Sequence, residues 1–403
     1  MFKAESRSDA GSSGLTRDLQ AGAVVGRNHV QGAKRRGWMR ILIALPGLHK
    51  FNRGAEIALI AVAEELVRRG EDVTLIGSGP PRNGAPYRYL RARSVNRTHF
   101  ERWPQIPGLR NEYCYEELTF LPELLVKYSP SSYDITMTCS YPFTSWALRR
   151  PTQAARRPRH VFVTQNGDWP AYVRQSTERQ YEYRFFECDG LVCINPDFFD
   201  RNKDRWNCRL IPNGVDPGRF RPGAANRAAF GLPEDRMIVL MVSALIASKR
   251  VEAGVEAVSH IPNAHLVVAG DGPLRDSVAS LASRLLPGRF TRLTAPPDRM
   301  PALYQSADVF MQCSKDEPFG LVFLEAMACG LPIVAHEMPR MRWILGNDEF
   351  LADMDDPAAV AQAIETAGAQ AAVGREKRME RAAGYSWARI GGMYAEFFRE
   401  LLA

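Results

Sequence analysis

The sequence lacks any apolar run long enough to cross a membrane. Its cleanest stretch, Arg40-Ile-Leu-Ile-Ala-Leu45, is strand-length, whereas a spanning helix needs about 20 apolar residues. No apolar core of signal-peptide length stands near the amino end, so no export leader is expected. There is no Cys-x-x-Cys pair. The seven cysteines are scattered, and Cys188 and Cys193 have a poor metal spacing, so reduced thiols in a cytoplasmic protein are expected. His49, His160 and His336 have no acidic neighbours at ligand spacing, and no protein-built metal site is expected. A Gly-x-Gly-x-x-Gly fingerprint is missing too, which argues against a dinucleotide site. What remains is ordinary globular composition, 45% apolar and 24% charged, which excludes a disordered or fibrous chain. Its 403 residues suffice for two or three domains with large cores.

The net charge of +7 suggests an anionic partner until it is located. Residues 1–38 carry seven Lys and Arg against Glu5, Asp9 and Asp18. That segment alone accounts for +4, leaving only +3 for the remainder. It is rich in Gly, Ser and Ala and reads as a disordered basic extension ahead of Met39. A nucleic-acid partner would need a basic face on the folded body, and none is visible.

From Met39 the pattern becomes α/β. A strand at 40–45, a loop at 46–53, a helix at 55–69 ending on Gly70, and a strand at 72–77 form one βαβ unit. Residues 80–130 read as long loops plus one helix. Apolar strands resume at 134–139, 160–164 and 190–194. The segment Ile211-Pro-Asn-Gly-Val-Asp-Pro-Gly-Arg-Phe-Arg-Pro-Gly223 has the turn chemistry of a linker. The second half repeats the grammar, with strands at 238–245, 265–270, 290–294, 308–313, 332–336 and 349–353. Helices are expected at 251–259, 273–286, 298–306, 320–329 and 357–369. The predicted organisation is a domain over 39–211, a linker over 212–223, a domain over 224–386, and a last helix over 387–403 packing back toward the first domain. Two doubly wound domains facing each other form a cleft, and ligands bind outside the carboxyl ends of their strands.

The sharpest chemical signal is Glu317-Pro-Phe-Gly-Leu-Val-Phe-Leu-Glu325-Ala-Met-Ala-Cys-Gly330-Leu-Pro332. A helix beginning near Gly320 offers unpaired backbone N–H groups and a positive dipole end, which suit a phosphate. Glu325 lies one turn inside, and helical side chains lean back toward the amino end. Its carboxylate therefore reaches hydroxyls next to a bound phosphate, as on a ribose. Glu317, in the preceding loop, can receive hydroxyls of whatever that phosphate carries. As a plain helix position Glu325 would sit unpaired on an almost wholly apolar helix, which is costly. A second signal is Lys249-Arg250, just after the first strand of the second domain, where a mobile point charge and a guanidinium fork suit a diphosphate. Gly270-Asp-Gly-Pro273 reads equally as a plain strand-to-helix turn. So does Gln165-Asn166-Gly-Asp168-Trp169 at the edge of the first domain. Asn52-Arg53-Gly54 opens the first helix, again an anion-friendly end.

Taken together, Ile211-Pro-Asn213-Gly-Val-Asp216, Lys249, Gly270-Asp-Gly-Pro273 and Glu317-(x7)-Glu325-Ala-Met-Ala-x-Gly330-x-Pro332 resemble the retaining family-4 glycosyltransferases of GT-B fold. The likeness runs from about Arg40 to Leu402 and is strongest in the second half. It implies two Rossmann-like domains across a cleft, and transfer of a hexose-type sugar from a nucleoside-diphosphate sugar with retained configuration. By position, the resemblance gives Glu325 the ribose hydroxyls and Glu317 the sugar hydroxyls. It gives the diphosphate to Lys249 and the amides of Phe319, Gly320 and Leu321. Gly54, Gly270 and Asn213 join the donor site, and Gly54 leaves room for donor and acceptor. No cofactor beyond the donor is implied. The chain departs from the family pattern in two places. Ser243-Ala244-Leu245 stands where the family has Gly-Arg-Leu, so Arg250 is expected to compensate as a catalytic cation. Where the family offers a His to the sugar, this chain has Thr164-Gln165-Asn166, leaving Asn166 or Asp168 as sugar or acceptor contacts.

Two other classes stay open on the sequence: a GT-B phosphorylase or nucleotide-sugar isomerase, and a non-catalytic relative that binds a partner. The acceptor, whether saccharide, lipid or small molecule, is not specified. Arg88, Arg91, Arg93, Arg97, Arg102 and Trp103 could touch a membrane or an anionic acceptor, although interspersed basic residues usually form a solvated face.

Overall fold

The computed structural model describes residues 37–104, 106, 109, 112–149, 157–165 and 187–403. The extension expected to be disordered, Asn166 and Asp168 fall outside these residues, apart from Gly37 and Trp38. The first sheet runs β3 (Arg88–Arg91), β2 (Asp72–Gly77), β1 (Arg40–Ala44), β4 (Ile135–Cys139), β5 (Arg159–Val163), β6 (Gly190–Cys193) and β7 (Cys208–Leu210). The second runs β10 (Phe290–Leu293), β9 (Ala264–Ala269), β8 (Met237–Val242), β11 (Val309–Met311), β12 (Ile333–His336) and β13 (Phe350–Ala352). Every pairing between these strands is parallel.

Both sheets are therefore doubly wound, with helices on both faces. Their strands are continuous apolar runs for that reason: Ile41 to Ala44 and Ile238 to Met241 are fully or almost fully buried. In each sheet the strand order reverses beside the first strand, at β1/β4 and at β8/β11. That reversal opens the crevice where α/β proteins bind ligands.

A repeated device sets the register. An acidic residue just before a strand accepts the amide at or beside the start of the neighbouring strand. Glu71 takes Met39 N (2.6 Å), Asp134 takes Arg40 N (2.9 Å), and Asp189 takes His160 N (2.8 Å). Asp308 takes Ile238 N (2.7 Å) and Glu349 takes Ile333 N (2.8 Å) in the second sheet. These amides would otherwise be orphan donors at the sheet's amino edge. Arg40 and Arg227 complete two of the clamps by binding Asp134 and Asp308.

The last helix, Trp387–Leu402, lies against the first, Gly54–Arg68. A Cβ on Gly391 would come within 2.3 Å of Glu65 Cβ, so only glycine permits this approach. Arg399 bonds Glu71 at 2.6 Å, and Arg69 bonds the Ala388 carbonyl at 2.6 Å.

Residues 80–130 hold more order than expected. Besides the helix Glu112–Lys127 they form β3 and a short 3-10 turn at Arg97–Phe100. As an edge strand, Arg88-Tyr89-Leu90-Arg91 has exposed ends and lacks the apolar run that marks its neighbours. Helices at Pro142–Leu148, Pro196–Asn202, Pro339–Leu345 and Arg375–Gly384, and strand β7, were also not expected. Most are short, and three open on proline, which reads equally as a turn. The seven cysteines form no disulfide.

Candidate functional site

At the two switch points lies a cleft of about 1200 Å³. One wall is the loop and helix after β1, with Asn52, Arg53, Gly54 and Ile57. The other is built from loops after β8, β9 and β11, contributing Ser243, Lys249, Gly270, Glu317, Gly320 to Val322 and Glu325. Glycines let these loops crowd together. A Cβ on Gly270 would sit 1.9 Å from the Ser243 carbonyl oxygen, and one on Gly272 would sit 2.5 Å from that of Leu245. Gly54 has only Leu321 near it, 3.9 Å from its Cβ position, so the amino ends of two helices face each other with little between them.

The helix Leu321–Ala328 begins directly after Gly320, which adopts φ +75° and offers no side-chain cap. The Phe323 amide already donates to the Gly320 carbonyl at 3.0 Å, which leaves those of Leu321 and Val322 without a side-chain cap at the cleft. Lys249 ends a 3-10 turn after β8, and its Nζ lies 2.5 Å from Glu317 Oε2. Glu317 itself is only 7% exposed. One turn into the helix, Glu325 Oε2 accepts from the Tyr304 hydroxyl at 2.7 Å. Burial pushes the Glu325 carboxyl up to about 7, against the opposing pull of the Tyr304 bond and of Arg219. Tyr304 is fully buried, and its phenol is pushed upward by burial and by the neighbouring Glu325. A cation, a helix amino end and two carboxylates, one of them near its ionisation midpoint at neutral pH, thus share one crevice. The arrangement suits an anionic leaving group flanked by hydroxyls.

Comparison with known proteins agrees in kind. Residues 52–219 match the family model described as Glycosyltransferase Family 4, and residues 224–383 match Glycosyl transferases group 1. Together the two models span most of the chain, which resembles the family-4 glycosyltransferases of GT-B fold. Among curated relatives, a lipopolysaccharide core biosynthesis glycosyltransferase of Rhizobium meliloti is 29% identical over 226 residues, 55% of this chain and 63% of that one. A D-inositol 3-phosphate glycosyltransferase of Acidothermus cellulolyticus is 34% identical over 194 residues, 42% of this chain and 41% of that one. The chain thus spans roughly half the length of the curated relatives it matches. Among solved structures, a sucrose-phosphate synthase of Thermosynechococcus elongatus superposes with TM-score 0.72 at 23% identity, covering 90% of this chain and 99% of that one. The Anabaena protein HepE, solved with UDP and glucose, gives 0.71 at 18% identity over 90% and 99%. At such identities these two likenesses speak for the fold.

The cleft gathers Lys249, Glu317, Gly320, Leu321, Glu325, Gly54 and Gly270. It does not gather Arg250. That residue adopts φ +51° at the start of the next helix, and its guanidinium turns to the Met354 carbonyl (3.1 Å) and Asp355 (2.6 Å). The expectation that Arg250 stands beside Lys249 in the cleft is therefore corrected: its guanidinium pairs with Asp355, which Lys315 shares, and with the Met354 carbonyl, away from the cleft lining. Asn213 is also absent from the cleft lining. It is 5% exposed and exchanges two hydrogen bonds with Gln165, at 2.7 and 3.0 Å, tying the linker to the first domain. Phe319 is 1% exposed and packs edge-on against Trp343 and Tyr385, so only its backbone is near the site.

Tyr304 and Arg219 were not singled out from the sequence. Tyr304 lies far from Glu325 along the chain, and its only local signal is a phenol on a short buried helix face, which demands a partner. Among the described residues, no group of three or more His, Cys, Asp and Glu is placed to hold a metal. No described helix is long and apolar enough to cross a membrane.

Proposed function

We propose that this protein transfers a hexose-type sugar from a nucleoside-diphosphate sugar to an acceptor bound at the first domain, with retention of anomeric configuration. The observation that carries this reading is the Tyr304-braced Glu325 one turn inside an uncapped helix, with Lys249 and Glu317 beside its amino end. Retention rests on the resemblance to family-4 enzymes, and the donor class is supported by HepE, which was solved with UDP-glucose.

In this reading ionised Glu325 accepts hydrogen bonds from the ribose hydroxyls. The amides of Gly320 and Leu321 and the Lys249 ammonium face the diphosphate. As the bond from the sugar's anomeric carbon to the diphosphate oxygen breaks, the electron pair leaves with the nucleoside diphosphate. A new bond forms to an acceptor oxygen, whose proton passes to the departing diphosphate oxygen. Preorganised positive charge at the departing oxygen is the main electrostatic contribution. Glu317 holds Lys249 in place and accepts sugar hydroxyls. No cofactor enters the scheme.

The test is turnover. Purified protein is incubated with UDP-, GDP-, ADP- and TDP-sugars, and released nucleoside diphosphate is measured alongside Lys249→Ala. Release from one donor that the variant reduces by about two orders of magnitude supports the proposal. Phosphate-dependent sugar release without any nucleotide would favour a phosphorylase instead.

A further inference from the structure

Two peptide carbonyls at Glu317 are held by donors that the first domain supplies or orients: Asn195 for Pro318, and Arg340, bound to Asp197, for Glu317. Asn195, at the carboxyl end of β6, is fully buried and uses its amide twice. Its Oδ1 accepts from Phe198 N at 2.9 Å, capping the helix Pro196–Asn202, while its Nδ2 donates to the Pro318 carbonyl at 2.7 Å. Arg340 in the helix Pro339–Leu345 is 7% exposed. Its Nε and Nη2 bind Asp197 of the first domain at 2.8 and 2.7 Å. Its Nη1 donates to the Glu317 carbonyl at 2.8 Å and to Asp316 at 3.1 Å.

We propose that Asn195 and Asp197, the latter through Arg340, are positioning residues that fix Glu317 only while the two domains are closed. The inference rests on the glycosyltransferase reading and extends it to how the site is assembled. Residues 316–320 are pinned on one side by Phe319, wedged against Trp343 and Tyr385. The other side depends on donors that the first domain supplies or orients. If the domains part, the Pro318 carbonyl loses its partner and Arg340 loses Asp197. Arg340 is then free to leave the Glu317 carbonyl. Lys249, Tyr304, Glu325 and the helix amides all belong to the second domain and stay together. The geometry thus separates nucleotide binding, which the second domain does alone, from placement of the Glu317 carboxylate, which needs both domains.

Two variants test this without emptying the core. Asn195→Asp keeps a good helix cap but turns the donor facing Pro318 into an acceptor. Asp197→Asn removes the charge that orients Arg340 and keeps the shape. Both should lower kcat for donor turnover by tenfold or more. Nucleoside-diphosphate affinity should stay within twofold, and Tm within a few degrees. Small-angle scattering should show a larger radius of gyration for Asn195→Asp than for the parent protein. Unchanged kcat in both variants overturns the proposal, and so does a parallel loss of nucleotide affinity. If the parent protein turns over no sugar nucleotide, the glycosyltransferase reading fails, and scattering still decides the latch: identical dimensions refute it, and expansion upholds it.

Discussion

The Tyr304–Glu325 bond makes a prediction that separates electrostatics from packing. Tyr304 is fully buried and donates to Glu325 Oε2 at 2.7 Å. Replacing it with Phe keeps the ring among Phe220 and Phe310 and removes only the donor. A hydrogen bond to a charged group is worth about 1.5–3 kcal/mol, and one pKa unit corresponds to about 1.4 kcal/mol. Glu325, already pushed up to about 7, should therefore rise by a further unit or more. Ribose hydroxyls need the ionised carboxylate as acceptor. For the parent protein, nucleoside-diphosphate affinity should climb with pH through about 7 and then level. For Tyr304→Phe the same curve should be displaced to higher pH, leaving affinity near neutrality roughly tenfold weaker. Titration calorimetry across this range measures both curves. An equal loss at every pH, with no displacement, would refute the electrostatic argument, and an unchanged curve would refute the placement of Glu325 at the ribose.

The same carboxyl affects the unliganded protein. Because its folded pKa lies above the ordinary 4.5, its contribution to stability is full below pH 4.5 and lost as pH rises through about 7. Glu325→Gln should thus gain on the parent protein between pH 5 and 8 in denaturant unfolding, by no more than about 3 kcal/mol and less where cleft water screens the charge. Gly391→Ala places a methyl within 2.3 Å of Glu65 Cβ and should cost about 1–3 kcal/mol, read as a lower denaturation midpoint with unchanged slope. Arg250→Ala, bound to Asp355 and Met354 outside the cleft, should leave turnover within about twofold, whereas Lys249→Ala should nearly abolish it; equal losses would return Arg250 to the site.

Much of the second domain was legible because its strands are buried on both faces and its helices carry strong boundaries. The segments Val251–Ser259, Pro357–Ala369 and Trp387–Leu402 fall where periodicity and stop signals put them. In the first sheet the edge strands β3 and β7 were not legible, being short and half-exposed. The candidate site divides the same way. Residues whose position follows from a local rule, such as Gly320 before a helix and Glu325 one turn in, could be read directly. Arg250 could not, because its direction is decided by Asp355, more than a hundred positions along the chain. Nor could Tyr304, Asn195 and Arg340, whose partners lie across the fold.

The most direct measurement is a thermal-shift screen against UDP, GDP, ADP and TDP, with Glu325→Ala in parallel. A nucleotide at 100 times its dissociation constant stabilises by about 2.7 kcal/mol, a shift of a few degrees. The account predicts such a shift with at least one nucleotide and its loss in Glu325→Ala. A shift that survives in the variant, or none with any nucleotide, would contradict it.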